Sequence, residues 1–193
     1  MGKSDSEYKS LLEKIGQKLK AARLHRSLTQ ANAAELLGFD FRHYQNIESG
    51  RVNVKFSSLV TIIRFIDEPV DSIISFQEDT NSPFCLLNLG RDEKIIYMNA
   101  YLAKLLGSKK NGLDFIGMNW FDHFIPQETR EPLRKHFHNG FRCEIFRKGF
   151  QEYENEVVTS NGKILIIKWL NSYLQSPNSR ELTKTSSIGA ISL

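Results

Sequence analysis

Apolar positions in the first third of the chain recur at three- and four-residue steps. Tyr8, Leu11, Leu12, Ile15, Leu19 and Ala22 share one helical face, and Lys14, Lys18, Lys20 and Arg23 decorate the others. Thr29 is a good N-cap for a second helix, Gln30 to Leu37, and Gly38 suits the left-handed backbone that ends it. Asp40 caps a third helix, Phe41 to Glu48, closed by Ser49 and Gly50. Ser58 to Ile66 is dense in apolar residues, and Pro69 suits the first turn of a short fifth helix through Ile74. No segment of this third alternates as a strand does. The pattern predicts an all-α bundle of five helices over 8–76.

The texture changes across Gln77–Pro83, a polar stretch read as a linker over 77–82, and the rest, 83–193, is mixed. Phe84–Leu89 and Ile95–Met98 are apolar runs around a Gly90-Arg91-Asp92 turn, which predicts a hairpin. Helical spacing returns over Ala100–Leu106 and again over Glu128–His138. Asn161-Gly162, between Tyr153–Thr159 and Lys163–Leu174, predicts a second hairpin with a type I′ turn. Ile164, Ile166 and Leu170 alternate with Leu165, Ile167 and Trp169, so this strand is expected to be central and covered on both faces. A short strand, Ile188–Leu193, closes the domain. Strands, then small helices, then three strands predict an α+β sheet domain with helices on one side.

Charge separates the two parts. Residues 1–66 carry 11 Lys/Arg against 6 Asp/Glu, whereas 67–193 carry 15 against 16. A basic segment beside a near-neutral one suits a polyanion, nucleic acid or an anionic membrane, or is a solvated face without a partner. No window approaches the roughly 18–20 apolar residues of a membrane span, and the polar N-terminus lacks a secretion signal, so a cytoplasmic protein is expected. Cys85 and Cys143 lie far apart without a CxxC partner, which speaks against a disulfide framework or thiolate zinc site and leaves buried thiols or redox sensing. His136 and His138, two apart on a helix, point to different faces and do not suggest a shared metal. There is no Gly-rich phosphate loop, HExxH or GxSxG, and Glu152, Glu154 and Glu156 alternate as a solvated strand face, so no enzyme and no catalytic residue is expected.

Two short helices joined by a tight glycine turn, the second polar on its outer side, suit entry into a major groove or are an ordinary helical hairpin with a polar outer face. That helix offers Arg42, His43, Gln45 and Asn46, with Tyr44 and Ile47 facing inward. Thr29-Gln30-x-x-Ala33-Ala34-Glu35-Leu36-Leu37-Gly38 followed by Ile47-Glu48-x-Gly50 resembles the Cro/phage-repressor family of helix-turn-helix domains from about Ile15 to Ile66. The resemblance implies a five-helix bundle that binds palindromic double-stranded DNA as a homodimer. It places Gln30 against phosphate and the recognition helix, Phe41, Arg42 and Asn46 at bases, and Arg51 at the backbone. Val54 stands where the family usually has Pro, and the next helix lacks a Ser or Thr cap. Phe41 is unusual in a reading position; it either meets a thymine methyl or turns inward.

Residues 83–193 resemble a PAS domain, through Ile95-Ile-Tyr-Met-Asn99, Leu105-Leu-Gly107, Phe115-Ile-Gly-Met-Asn-Trp-Phe-Asp-His-Phe-Ile-Pro126, Tyr153-Glu-Asn155 and Trp169-Leu-Asn171. This implies an α+β domain whose five-stranded antiparallel sheet and helices form a pocket, used for small-molecule sensing or dimerisation. Trp120 occupies the place of the reactive cysteine in the flavin-photoreceptor signature, so covalent flavin is not expected. No histidine sits where haem-binding members ligate iron, so the cofactor stays unassigned. Trp120, Phe121, Phe124 and Trp169 either line a pocket or fill the core. The two resemblances together imply a transcriptional regulator in which any signal reaches the DNA-binding helices through the Asp67–Ser82 connector. The alternative is an antitoxin-like repressor whose second domain binds a protein instead of a metabolite.

Overall fold

A computed structural model describes residues 3–74, 82–142, 149–175 and 181–192, with side chains from residue 9 onward. The linker reading (apart from Ser82), Cys143 and Leu193 lie outside the described residues. The chain divides into two compact units, Met1–Asn81 and Ser82–Leu193.

The first unit holds α1 (Lys3–His25), α2 (Gln30–Leu37), α3 (Phe41–Glu48), α4 (Phe56–Ile66) and α5 (Val70–Ile73). Helix α1 starts five residues before the expected Tyr8. Between Gly2 and Tyr8 the sequence holds no breaker, so one more turn extends an existing helix at little cost. The caps act as the sequence predicts. Thr29 accepts from the Asn32 N–H, Asp40 from the His43 N–H, and Gly38 adopts φ 68°. Helix α4 begins behind Lys55 without a side-chain cap. Pro69 stands just outside α5 as its N-cap. Leu11, Ile15 and Leu19 of α1 are buried with Ala33, Tyr44, Ile47, Leu59, Ile62 and Ile63. A Cβ at Gly16 would lie 2.5 Å from the Glu48 carbonyl oxygen, so the bare glycine lets α1 and α3 approach closely.

The second unit is a five-stranded antiparallel sheet in the order β2-β1-β5-β4-β3, from β1 (Cys85–Gly90), β2 (Ile95–Met98), β3 (Phe150–Val158), β4 (Ile164–Gln175) and β5 (Leu182–Ile191). Helices α6 (Ala100–Leu106), α7 (Trp120–Phe124) and α8 (Gln127–Arg142) connect β2 to β3. They share a core with Leu87, Leu89, Ile167, Trp169 and Tyr173 of the sheet.

Four expectations need correction. Strand β5 begins at Leu182, six residues before the expected Ile188, and is itself the central strand. Its first half is polar, yet pairing on both sides satisfies the backbone of Thr185, Ser186 and Ser187. Strand β4 is paired on both sides but not covered on both faces, since Ile164 and Ile166 are 53% and 43% exposed. The Asn161-Gly162 turn is not type I′, which needs positive φ at both residues. Only Gly162 is left-handed (φ 78°), and the Gly162 N–H donates to the Thr159 carbonyl, making a one-residue-longer loop with a glycine bulge. Finally, α8 runs to Arg142, past the expected His138, with Pro132 as its sixth residue, where the missing N–H costs the helix one i→i−4 hydrogen bond.

Candidate functional site

In the helical unit the outer side of α3 stands on a buried ion pair. Arg23 of α1 donates from Nε to Glu48 Oε2 (2.8 Å) and from Nη2 to Oε1 (2.9 Å), and its Nη1 reaches the Leu28 carbonyl at 2.8 Å. Both side chains are buried, and two parallel bonds fix the geometry of the pair. Burial pushes the Glu48 carboxyl up, but hydrogen bonds from Arg23 and Gln30 and the Arg23 charge outweigh this and hold it below the ordinary carboxylate range.

From Glu48 a polar chain runs outward. Gln30 Nε2 donates to Glu48 Oε1 (3.0 Å), and Gln45 Nε2 donates to Gln30 Oε1 (3.1 Å). Gln45 therefore retains one amide N–H and its carbonyl oxygen for another molecule. Arg42 is exposed, Asn46 half-buried, and Phe41 is 48% exposed and thus not turned into the core. His43 is half-buried with its ring edge-on to Phe39, centroids 5.9 Å apart. Arg51 is exposed, and its N–H donates to the Asn46 carbonyl, which places it one turn past α3. The structure thus joins Gln30 to Gln45 by a hydrogen bond, places Phe41, Arg42, His43 and Asn46 on the same helix α3, and sets Arg51 just beyond its C-terminal end.

In the second unit, sheet register brings three rows to the inner face. Gly189, Trp169 and Tyr153 form one, Ser187, Asn171 and Gln151 the next, and Leu89, Thr185 and Tyr173 the third. A Cβ at Gly189 would come within 2.6 Å of the Trp169 ring, so the glycine makes room for the indole to lie across the strand. These rows and the helix residues Trp120, Phe121, Leu133, His136 and Phe137 enclose a cavity of about 50 Å3. Trp120, Phe121 and Trp169 line it; Phe124 packs edge-on against Phe115 (5.0 Å) and close to Trp120 (5.1 Å) as core.

Two features of this unit are not apparent in the sequence. His136 stacks on Tyr153 at 4.7 Å, its Nε2 accepting from Gln151 Nε2 at 2.5 Å, while Gln151 Oε1 accepts from Tyr173 (2.9 Å). Glu93, at φ 68° in the β1–β2 turn, accepts from Asn119 (2.8 Å), Arg134 (3.0 Å) and His138 (2.7 Å), which ties the hairpin to α7 and α8. Burial raises the Glu93 carboxyl, but bonds from Asn119, His138 and Arg134 hold it below the ordinary range. A lone carboxylate in a turn carries no sequence signal for this. Among the described residues no three His, Cys, Asp or Glu side chains gather as metal ligands, and no helix is long and apolar enough to cross a membrane.

Comparison with known families agrees with this division. A family model described as Helix-turn-helix matches residues 19–73, and one described as PAS domain matches residues 81–175. The chain is a helix-turn-helix domain followed by a PAS domain. Neither domain is catalytic in itself, and the combination makes the chain a DNA-binding regulator with a sensory domain. No curated protein matches the chain in sequence. Solved structures similar to the second unit include the PAS domain of an HTR-like protein from Haloarcula marismortui (13% identity over 58% of this chain and 84% of that one, TM-score 0.46). Another is a PAS domain from Colwellia psychrerythraea (17%, 57% and 87%, TM-score 0.45). A third is the VqmA dimer of Vibrio cholerae, described as a LuxR-type receptor in the absence of target DNA (13%, 57% and 47%, TM-score 0.46).

Proposed function

We propose that the chain is a sequence-specific transcriptional regulator that binds a palindromic operator as a homodimer, its PAS domain setting the geometry of two helical heads or responding to a small molecule. The observation that carries this is the braced outer face of α3, where Gln45 is held by Gln30 and Gln30 by the buried Arg23–Glu48 pair. A side chain fixed before contact loses less entropy on binding. Arg42 suits a bidentate guanine contact, Asn46 an adenine contact, and exposed Phe41 a thymine methyl, with Gln45 and His43 completing the reading surface. Gln30 and Arg51 flank that surface, where phosphate contacts set register. One small module contacts limited DNA surface, which favours two acting together.

The test is the substitution Asn46→Ala assayed against a panel of single-base variants of the bound site. Each bidentate pair is worth about 1–3 kcal/mol of discrimination. The substitution is expected to flatten preference at one base pair in each half-site and to leave the others intact. Unchanged preference at every position removes Asn46 from the reading set.

A further inference from the structure

The geometry points to an occupant for the PAS cavity: a small, uncharged, planar molecule that carries both a hydrogen-bond donor and an acceptor. This rests on the sensory reading above. Its basis is the inventory of the wall. Gln151, Asn155, Asn171, Tyr173, Thr185 and Ser187 are all neutral donor-acceptor groups, and among the described residues no carboxylate, lysine or arginine lines the cavity. A charged ligand would lose its hydration there without a counter-charge, which the interior penalises heavily.

A second observation asks for a partner. Thr185 is 2% exposed, faces the cavity, and its Oγ1 makes no hydrogen bond. An unmade bond at a buried hydroxyl is costly, and a ligand group that meets it recovers that cost. Aromatic rings line both sides, Trp120, Phe121 and Phe137 from the helices and Tyr153 and Trp169 from the sheet, and Tyr153 already carries one flat group, the His136 ring, at 4.7 Å.

The third observation is that the protein partly fills the site itself. The His136 imidazole lies on Tyr153 and accepts a hydrogen bond from the Gln151 amide. This ring is a small, flat group already in contact with the Gln151 amide. The cavity beside it, about 50 Å3, exceeds the room one water needs but falls short of the roughly 150 Å3 that takes benzene. His136 and Tyr153 are half-buried, so the cavity reaches the surface at their end. A ligand ring enters there by displacing the imidazole, stacks on Tyr153, takes over the Gln151 bond through its acceptor, and meets Thr185 through its donor.

The chain contains two tryptophans, Trp120 and Trp169, and both line the cavity, so intrinsic tryptophan emission of the full-length protein reports on this site. Titration with benzamide, benzoate, benzamidinium and toluene varies charge and hydrogen bonding on one ring. Benzamide is expected to give a saturable emission shift with a Kd at least about tenfold below the other three. Thr185→Val, which keeps the side chain's shape, raises the benzamide Kd about fivefold and leaves toluene unchanged, as expected for one lost hydrogen bond. His136→Ala, which vacates the ring's place, tightens benzamide. A charged probe that binds as tightly as benzamide overturns the ligand class and leaves the sensory reading standing. Equal binding of toluene, or a benzamide Kd indifferent to Thr185→Val or to His136→Ala, overturns the assigned contacts. If no probe saturates, the cavity takes no ring and the ligand class assigned here falls, while the sensory reading stands.

Discussion

Gln45 donates its side-chain amide to Oε1 of Gln30 across 3.1 Å, and that bond joins α3 to α2. Gln30 in turn donates to Glu48, so the three side chains form one line from solvent to the buried pair. Replacement of Gln30 by alanine frees Gln45 and leaves Arg23 and Glu48 in place. Affinity for the bound duplex, measured by fluorescence anisotropy at fixed salt, is expected to fall about tenfold, the size of one charge-assisted or bracing hydrogen bond. Helical content by circular dichroism should stay the same. Full affinity in the variant would leave Gln30 without a part in binding.

Arg23→Met tests the pair beneath. Removal of one partner strands a buried carboxylate, which typically costs about 3–5 kcal/mol. Chemical denaturation of the full chain, followed by far-ultraviolet circular dichroism, should show the helical unit unfolding at much lower denaturant. A midpoint equal to wild type would mean that the pair adds no net stability.

Gly189→Ala addresses the packing of Trp169, which lines the cavity. The added methyl meets the Trp169 ring at 2.6 Å and the Ile167 side chain at 2.9 Å. Forced overpacking of this kind usually costs about 1–3 kcal/mol. The variant should melt at lower temperature and show altered tryptophan emission, since the indole must shift. Unaltered emission with lowered stability would place the strain elsewhere.

Acid should release the β1–β2 turn from α7 and α8. The Glu93 carboxyl is held below its ordinary value in the folded chain, so it binds a proton less readily than in the unfolded chain. Its contribution is then complete above the unfolded value of about 4.3 and is lost as pH falls through the lower folded value. Denaturation of the PAS unit, followed by tryptophan emission across that range, should show stability declining with acid. Glu93→Gln should be less stable at neutral pH and lose less on acidification. An equally steep acid decline in the variant would assign the effect to other carboxylates.

The helix-turn-helix was legible because its signals are local. Thr29, Gly38 and Asp40 mark helix ends within a few residues, and the inward Tyr44 and Ile47 declare which side faces out. Hairpin β1–β2 and helix α6 were visible for the same reason. The first half of β5 was not, because its Thr and Ser residues are polar where a central strand is usually apolar. Of these polar residues Thr185 and Ser187 line the cavity. Helix α7 is five residues long, too short for periodicity, and is set by the Asn119 cap. Glu93 reaches His138 across 45 residues and His136 reaches Gln151 across 15, through contacts that only the folded chain creates. The aromatic set was recognised as a group, but separating Phe124 from the three cavity residues needs the packing direction of α7.

The most direct test of the account is selection of bound duplexes from a random pool with the full-length protein near physiological salt. An inverted repeat with half-sites about one helical turn apart is the expected result, because two α3 helices related by a twofold axis enter successive major grooves on one side of the duplex. Recovery of no common motif, with binding that disappears as salt rises, would show only attraction to phosphate and would contradict a sequence-specific regulator.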